Sequence, residues 1–285
     1  PWDICLVLFS RVDPAVRALF ASRPQRSRER EFMNWSGLAG CTLGALMLSA
    51  LPVAAQTTRP EEGWRFALSP YVWFTGVSGD ATVRSQTDSI QADFGDLFDN
   101  MKFAFSGFAE ARNGRFSIVT DFMYYNLEQG IPVPGLGAYS GGSTRMQTTE
   151  FSAIGLLTVL EDRAYRLEVG GGFRMWWMTN EINLDAGHLP ARSVSANTNW
   201  IDPIISTRGT WRIADDWSAA LSGDVGGFGA GSQLTWQALA TLDWRVRDNH
   251  TASIGYRWIY IDYAKGEADV KLNMTGPIIG ATLRF

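Results

Sequence analysis

The chain has 285 residues, with 25 Lys and Arg against 29 Asp and Glu and a formal net charge of −4, so it lacks the basic balance of a nucleic-acid binder. Both cysteines, Cys5 and Cys41, fall within the first 55 residues, which excludes a disulfide framework or a Cys-ligated metal from the rest. The 230 residues after Ala55 carry 19 basic and 25 acidic side chains, enough chain for one large domain, with no apolar run of membrane-helix length.

In chain order, residues 1–32 read as a leader without fixed structure, or as sequence upstream of a true start at Met33. The only long apolar run, 36–55, ends in Val53, Ala54 and Ala55 before Gln56. Residues 33–55 therefore read as a secretory signal peptide cleaved after Ala55. A membrane-spanning helix is the alternative, but no charged stop-transfer flank follows. Leu38 to Cys41 resembles a lipoprotein box, poorly spaced because most of the apolar run lies after Cys41.

From residue 56 to 285 the pattern changes to apolar and polar residues alternating with period two, the signature of strands. Ten strands are predicted: Trp64 to Ser78, Lys102 to Arg112, Arg115 to Leu127, Gln147 to Glu161, Tyr165 to Met178, Trp200 to Ile213, Trp217 to Phe228, Leu234 to Val246, His250 to Tyr263 and Lys271 to Phe285. Tight turns at Asn113-Gly114, 162–164, 214–216 and 247–249 alternate with longer loops at 79–101, 128–146, 179–199 and 264–270; 229–233 is a short exception. An even strand number, with short turns at one end and long loops at the other, is the layout of a closed antiparallel transmembrane β-barrel with short periplasmic turns and longer extracellular loops. The predicted fold is thus all-β with about ten strands, eight and twelve being the neighbouring solutions.

The faces separate cleanly. In Tyr165 to Met178, Leu167, Val169, Phe173 and Met175 oppose Arg166, Glu168 and Arg174; in Leu234 to Val246, Leu234, Trp236, Leu242 and Trp244 oppose Gln237, Asp243 and Arg245. Periodicity alone does not distinguish this barrel from a soluble β-sandwich. Aromatic residues favour the barrel. Trp64, Tyr165, Trp211, Trp217 and Trp244 lie near the short turns, and Tyr71, Trp73, Tyr124, Trp177, Trp200, Trp236, Trp258 and Tyr260 lie towards the loops, as two interfacial belts.

Several motifs carry a resemblance: Pro70-Tyr71-x-Trp73, Trp200-x-Asp202-Pro203, GDVGGFGAGSQLTW at 223–236, GYR at 255–257 with Asp262-Tyr263, and Gly276-Pro277 running on to Phe285. Together they resemble a group of uncharacterised outer-membrane β-barrel proteins of Gram-negative bacteria, over most of residues 64–285. The resemblance implies a small barrel inserted by the outer-membrane assembly machinery, with the last strand as its signal; Gly280, Leu283 and Phe285 are the assembly-signal residues, and Ile278 departs from the polar residue usual at its position. It implies no substrate and no catalytic residues.

By parity the inward charges are Lys102, Glu110 and Arg112; Asp121; Arg166, Glu168 and Arg174; Asp202, Arg208 and Arg212; Asp224; Asp243 and Arg245; Arg257; and Arg284. Their mixed signs suit ion pairs that fill and brace a narrow lumen, since an unpaired charge away from water is costly. In the first long loop, Phe94, Leu97, Phe98 and Met101 stand at helical spacing behind Asp93, predicting a short capped helix against or in the barrel mouth. The loop aspartates lack EF-hand spacing, so no metal site is predicted. Gly226, Gly227, Gly229 and Gly231 precede a strand and not a helix, which removes a phosphate-loop reading and leaves a tight hairpin end. With two histidines, His188 and His250, and no positioned nucleophile, no catalytic residue and no cofactor is expected.

The sequence thus predicts a cell-outer-membrane barrel, porin-like in architecture, with outer-membrane lipids, lipopolysaccharide and the assembly machinery as its partners and no nucleic acid. Two functions stay open: a structural or surface-interaction barrel, and a narrow passive channel for small solutes. An outer-membrane hydrolase is the weaker third.

Overall fold

The structure, a computed structural model, describes residues 63–83, 86–131, 139–265 and 268–285. The leader, the signal peptide and Cys41 lie outside the described residues.

Among the described residues twelve strands run in chain order: β1 Arg65–Trp73, β2 Gly76–Val83, β3 Gln86–Ala92, β4 Met101–Asn113, β5 Phe116–Ile131, β6 Tyr139–Glu161, β7 Tyr165–Ala186, β8 Arg192–Arg212, β9 Trp217–Gly227, β10 Leu234–Arg247, β11 His250–Lys265 and β12 Ala268–Arg284, with a helix, α1 (Phe94–Asp99), between β3 and β4. From β4 to β12 each strand pairs antiparallel with the next, and β12 pairs back onto β1, closing the sheet. β1 and β2 act as one wall strand: their partners on β12 run in unbroken register from Ala67↔Arg284 through Trp73↔Ile278 and Gly76↔Thr275 to Val83↔Ala268. The wall is therefore a closed antiparallel barrel of ten strands.

One irregularity shapes the mouth. The β1–β4 ladder ends at Pro70↔Gly107, and Pro70 has no N–H to donate. Beyond it Ser106 Oγ donates to the Tyr71 carbonyl at 2.6 Å, and β2 pairs with β3 as a hairpin. The chain returns through α1, whose N-cap Asp93 accepts from the Asp96 N–H while the Asp96 carboxylate accepts from the Asp93 N–H, a capping box.

The predicted long loops are largely strand. The β5–β6 ladder continues to Ile131↔Gly142, β7–β8 to Leu184↔Arg192, and β11–β12 to Lys265↔Ala268. β6, at 23 residues, is about 75 Å long at about 3.3 Å per residue; even tilted, it stands about twice the height of the roughly 25 Å apolar band of such barrels. Above that band the outward face turns polar, as in STRMQTTE and SVSANTN, while Ile182, Leu184, Val194 and Ala196 pack with Tyr139 as a small apolar cluster on the inner side.

The outward face between the turns and these extensions is apolar. Leu68, Phe105, Phe122, Val169, Ile205 and Leu221 are among the large exposed side chains. Near the turns Trp217 stacks on Trp244, and towards the loops Trp236 stacks on Tyr260. Three aromatics assigned to the outer belt face inward instead: Tyr71 is 7 % exposed, Trp73 3 %, and Trp200 packs into the core cluster. Parity explains the correction. Trp200 shares its face with Asp202 and Arg208, and Tyr71 and Trp73 share theirs with Ser69.

Candidate functional site

The candidate site is the lumen, filled by layers of side chains. Nearest the short turns, Glu110 and Arg112 on β4, Glu168 on β7 and Arg208 on β8 form a closed four-membered ring. Arg208 Nη1 donates to Glu110 Oε2 at 2.9 Å and its Nε to Glu168 Oε2 at 2.7 Å. Arg112 Nη2 donates to Glu168 Oε1 at 2.6 Å and to Glu110 Oε1 at 2.8 Å. Each carboxylate serves both guanidiniums, so two charges of each sign cancel within a single layer.

The next layer is more deeply buried. Arg174 on β7 binds Asp224 on β9 bidentately, Nη1 to Oδ1 at 3.0 Å and Nη2 to Oδ2 at 2.9 Å, while its Nε donates to Glu150 Oε1 at 3.2 Å. Arg257 on β11 donates through Nη2 to Asp121 on β5 and through Nη1 to the Tyr71 hydroxyl at 2.7 Å; that hydroxyl in turn donates to Asp121 Oδ1 at 2.8 Å. Gln237 on β10 joins the two halves, its Oε1 accepting from Arg174 Nη2 at 3.3 Å and from Arg257 Nη2 at 2.6 Å. The Arg257 guanidinium also lies 5.1 Å from the Trp73 ring centre and 5.6 Å from that of Phe108, positions that favour cation–π attraction. The inward positions of β7 between Glu168 and Arg174 are Gly170 and Gly172. A Cβ on either would sit within 1.9 Å of a β6 carbonyl oxygen, so only glycine allows β7 this close to β6.

An aromatic layer closes the lumen above. Trp176 stacks at 6.0 Å on Trp200, which meets Tyr263 at 4.4 Å, and Ile259, Ile261 and Trp73 complete the cluster. The connection from β9 to β10 folds over this layer. Asp202 accepts from the Ser232 N–H at 2.6 Å, from Ser232 Oγ at 2.7 Å and from Trp200 Nε1 at 2.9 Å. A Cβ on Gly231 would fall 2.5 Å from the Ile201 carbonyl oxygen, and Gly227 and Gly229 have φ of +88° and +77°, so the glycine-rich run supplies both the turn and the close approach. At the mouth Phe94 of α1 meets Phe74 edge-on at 4.9 Å. With Leu97 and Met101 it caps a cavity of about 70 Å³ over Trp73, Met123, Glu150 and Trp176. Phe98 of α1 is 61 % exposed.

Of the fifteen charges read as inward, the two ion-pair layers gather Glu110, Arg112, Asp121, Glu168, Arg174, Arg208, Asp224 and Arg257, and Asp202 anchors the outer connection. Arg166, Arg212, Asp243, Arg245 and Arg284 stand at the turn-side mouth; Arg166 pairs with Glu161, Arg245 donates to the Asp215 carbonyl and Arg284 to Thr251 Oγ1. Lys102 is the exception. It falls at a register shift between Met101 and Phe103, which interrupts the alternation, and it is exposed at the outer end of β4. Glu150, fully buried, belongs to the second layer and was not among the predicted charges. Its face also carries Ile154 and Leu156, which hid it. Above the apolar band Arg145 donates to Glu128 at 2.9 Å, and this hydrogen bond holds the Glu128 carboxyl below the usual carboxylate range.

Beside the four-membered ring, whose side chains form part of its wall, the lumen widens into a vestibule of about 780 Å³, which opens at the short-turn end and ends blindly against the Asp121 and Asp224 side chains. Its wall is uneven: Phe108, Val119, Ile154 and Leu156 make an apolar sector on β4 to β6, and Ser206, Thr210, Ser222 and Thr241 a hydroxyl sector on β8 to β10.

No protein-family model matches the chain, and no curated protein does. Among solved structures, the outer membrane protease OmpT from Escherichia coli aligns over 81 % of this chain and 99 % of its own with a TM-score of 0.53 at 11 % identity. The fold is that of an outer-membrane β-barrel. The translocator domain of the autotransporter NalP from Neisseria meningitidis aligns over 80 % of this chain and 90 % of its own, TM-score 0.44 at 13 % identity. For the attachment invasion locus protein Ail of Yersinia pestis the coverage is 79 % and 99 %, TM-score 0.35 at 11 % identity. At these identities the likeness concerns the barrel alone. The motifs quoted from the sequence nevertheless converge inside it: Tyr71 and Trp73, Asp202, Asp224 and Arg257 all meet in the two upper layers of the lumen.

Proposed function

We propose that the protein is an outer-membrane barrel of Gram-negative type whose lumen is a filled, charge-braced strut, with a structural or surface-interaction role carried by the strands that extend beyond the membrane. The observation that carries this reading is the double septum: Arg174 and Arg257 are 0 % exposed and Trp176 is 1 % exposed, so a path along the barrel axis meets an ion-paired layer and then an aromatic one. The apolar outer face and its stacked aromatic pairs suit outer-membrane lipids on both leaflets, with lipopolysaccharide outside. Insertion by the assembly machinery through the last strand, with Gly280, Leu283 and Phe285 as its signal, belongs to the same reading.

The test is conductance of the folded protein in a planar bilayer, beside a variant lacking residues 86–100. Silence in both is expected, because the septum lies beneath α1. Discrete steps in the intact protein would establish the second reading, a narrow passive channel for small solutes, with the vestibule as its entry. The role proposed is not catalytic. A hydrolytic activity abolished by His188→Ala would refute this.

A further inference from the structure

The turn-side mouth of the vestibule is lined by six arginines, Arg65, Arg163, Arg166, Arg212, Arg245 and Arg284. They gather at one opening of a chain whose formal net charge is −4. Facing them are four carboxylates, on Glu161, Asp162, Asp216 and Asp248, of which Glu161 is engaged with Arg166; Asp243 stands one row deeper. The outer row of the opening is therefore net cationic by two, and the mouth as a whole, with Asp243, by one. Arg212 on β8 and Arg65 on β1 lie five strands apart around a ten-stranded wall, so guanidiniums approach from opposite sides. One carboxylate is satisfied by one guanidinium fork, whereas the tetrahedral spread of a phosphate group's terminal oxygens, three in a monoester and two in a phospholipid diester, lets it accept from guanidiniums on several sides. Behind this mouth lies a blind cavity of about 780 Å³, within the roughly 300–1,000 Å³ range of small-molecule sites. It has one apolar sector and one sector of hydroxyls able to donate and accept.

We propose that the vestibule binds a phosphorylated ligand entering from the turn side, the phosphate held at the arginine mouth and the ligand body lodged in the cavity. The site rests on the closed-lumen reading, since a blind cavity retains a guest that an open channel would pass. Two sources supply this chemistry in the space below the membrane: a soluble phosphate ester, and the headgroup of an anionic phospholipid from the adjoining leaflet.

The test is calorimetric titration at low salt, where screening is weak, of the folded full chain in zwitterionic micelles. The probes are glucose 6-phosphate against glucose, and phosphatidylglycerol against phosphatidylcholine. The comparison variant is Arg212→Ala/Arg284→Ala, at two exposed positions outside both ion-paired layers, with its fold checked by gel mobility before and after boiling. At least one phosphorylated probe is expected to bind tenfold or more tightly than its uncharged or zwitterionic counterpart, and to lose at least tenfold in the variant. Preference for glucose 6-phosphate identifies a soluble ester as the source, and preference for phosphatidylglycerol alone identifies the headgroup. Equal binding of charged and control probes, or unchanged binding in the variant, overturns the proposal. Conductance of the same preparation separates the two ideas: a silent barrel without arginine-dependent binding refutes the site alone, and a conducting barrel refutes the closed lumen whatever it binds.

Discussion

Arg257 on β11 and Asp121 on β5 are joined across the lumen, four strands apart around the closed wall, with the Tyr71 hydroxyl bridging them. This contact braces the barrel across its interior, as the β1–β12 ladder closes it along the wall. Because Gln237 connects Arg257 to the Arg174–Asp224 pair, one hydrogen-bonded layer spans β1, β5, β6, β7, β9, β10 and β11. Such a layer holds the cross-section of the barrel, while the outer face only has to be apolar.

Removing one side of this contact leaves the other charge buried. Asp121→Asn is expected to destabilise the barrel by about 3–5 kcal/mol, read as a lower urea midpoint for loss of the fast-migrating folded form. Arg257→Met combined with Asp121→Leu should recover part of that loss, since a packed apolar pair removes the orphaned charge. A single variant as stable as the unaltered protein would mean that water reaches this layer.

Leu242 and Thr241 are neighbours on β10 with opposite fates. Leu242 points outward at 39 % exposure, and Thr241 lines the vestibule and donates to Asp243 at 3.2 Å. Leu242→Arg should cost about 2–4 kcal/mol if it sits near mid-membrane and should lower assembly yield; Thr241→Arg, at a wet inner wall, should be far milder. Equal tolerance of the two would mean the faces are reversed.

Alternation made most of this fold legible, and the exceptions share one physical cause. A reading keyed to apolar residues on every second position finds the membrane-crossing part of each strand, where lipid demands them. It ends too early on β5 to β8, because above the membrane the outward side continues with polar residues such as Thr, Ser and Asn, while Ile182, Leu184, Val194 and Ala196 keep a short apolar row inside. Within the crossing part, residue type misled where parity would have served. Tyr71, Trp73 and Trp200 looked like interfacial aromatics, yet each alternates in step with polar inward neighbours. Glu150 was missed because Ile154 and Leu156 on its own face blur the contrast. Lys102 was lost to a register shift that leaves no mark in the sequence. The pairing of charges was not legible at all: β4 and β8 meet through Glu110 and Arg208, 98 residues apart, and only barrel closure brings them together.

Gly172 tests how tightly β6 and β7 are drawn together. A Cβ there would lie 1.9 Å from the Ala153 carbonyl oxygen, whereas one at Gly130 meets nothing within 4 Å. Gly172→Ala should therefore force the two strands apart and cost about 1–3 kcal/mol, and Gly130→Ala should stay within about 0.5 kcal/mol of the unaltered protein. Urea midpoints measured side by side decide the matter. If the two changes cost the same, the close approach of β7 to β6 is not needed for stability.

The helix α1 is held by its cap at one end and by packing at the other. Asp93 fixes the first turn through the Asp96 N–H at 2.9 Å, and Phe94 packs on Phe74 above the small apolar cavity. Asp93→Ala removes the side-chain acceptor, a loss of about 1 kcal/mol in helix ends of this kind, which a six-residue helix cannot absorb through its own hydrogen bonds. Amide exchange over residues 94–99 should speed up several-fold while the barrel amides and the gel mobility stay unchanged. The layers beneath predict a second result: because Trp176, Arg174 and Arg257 close the lumen below the helix, loosening α1 should open no conductance. Channel activity gained by Asp93→Ala would instead make α1 the gate, and the charged layers would then have to part around the permeating solute.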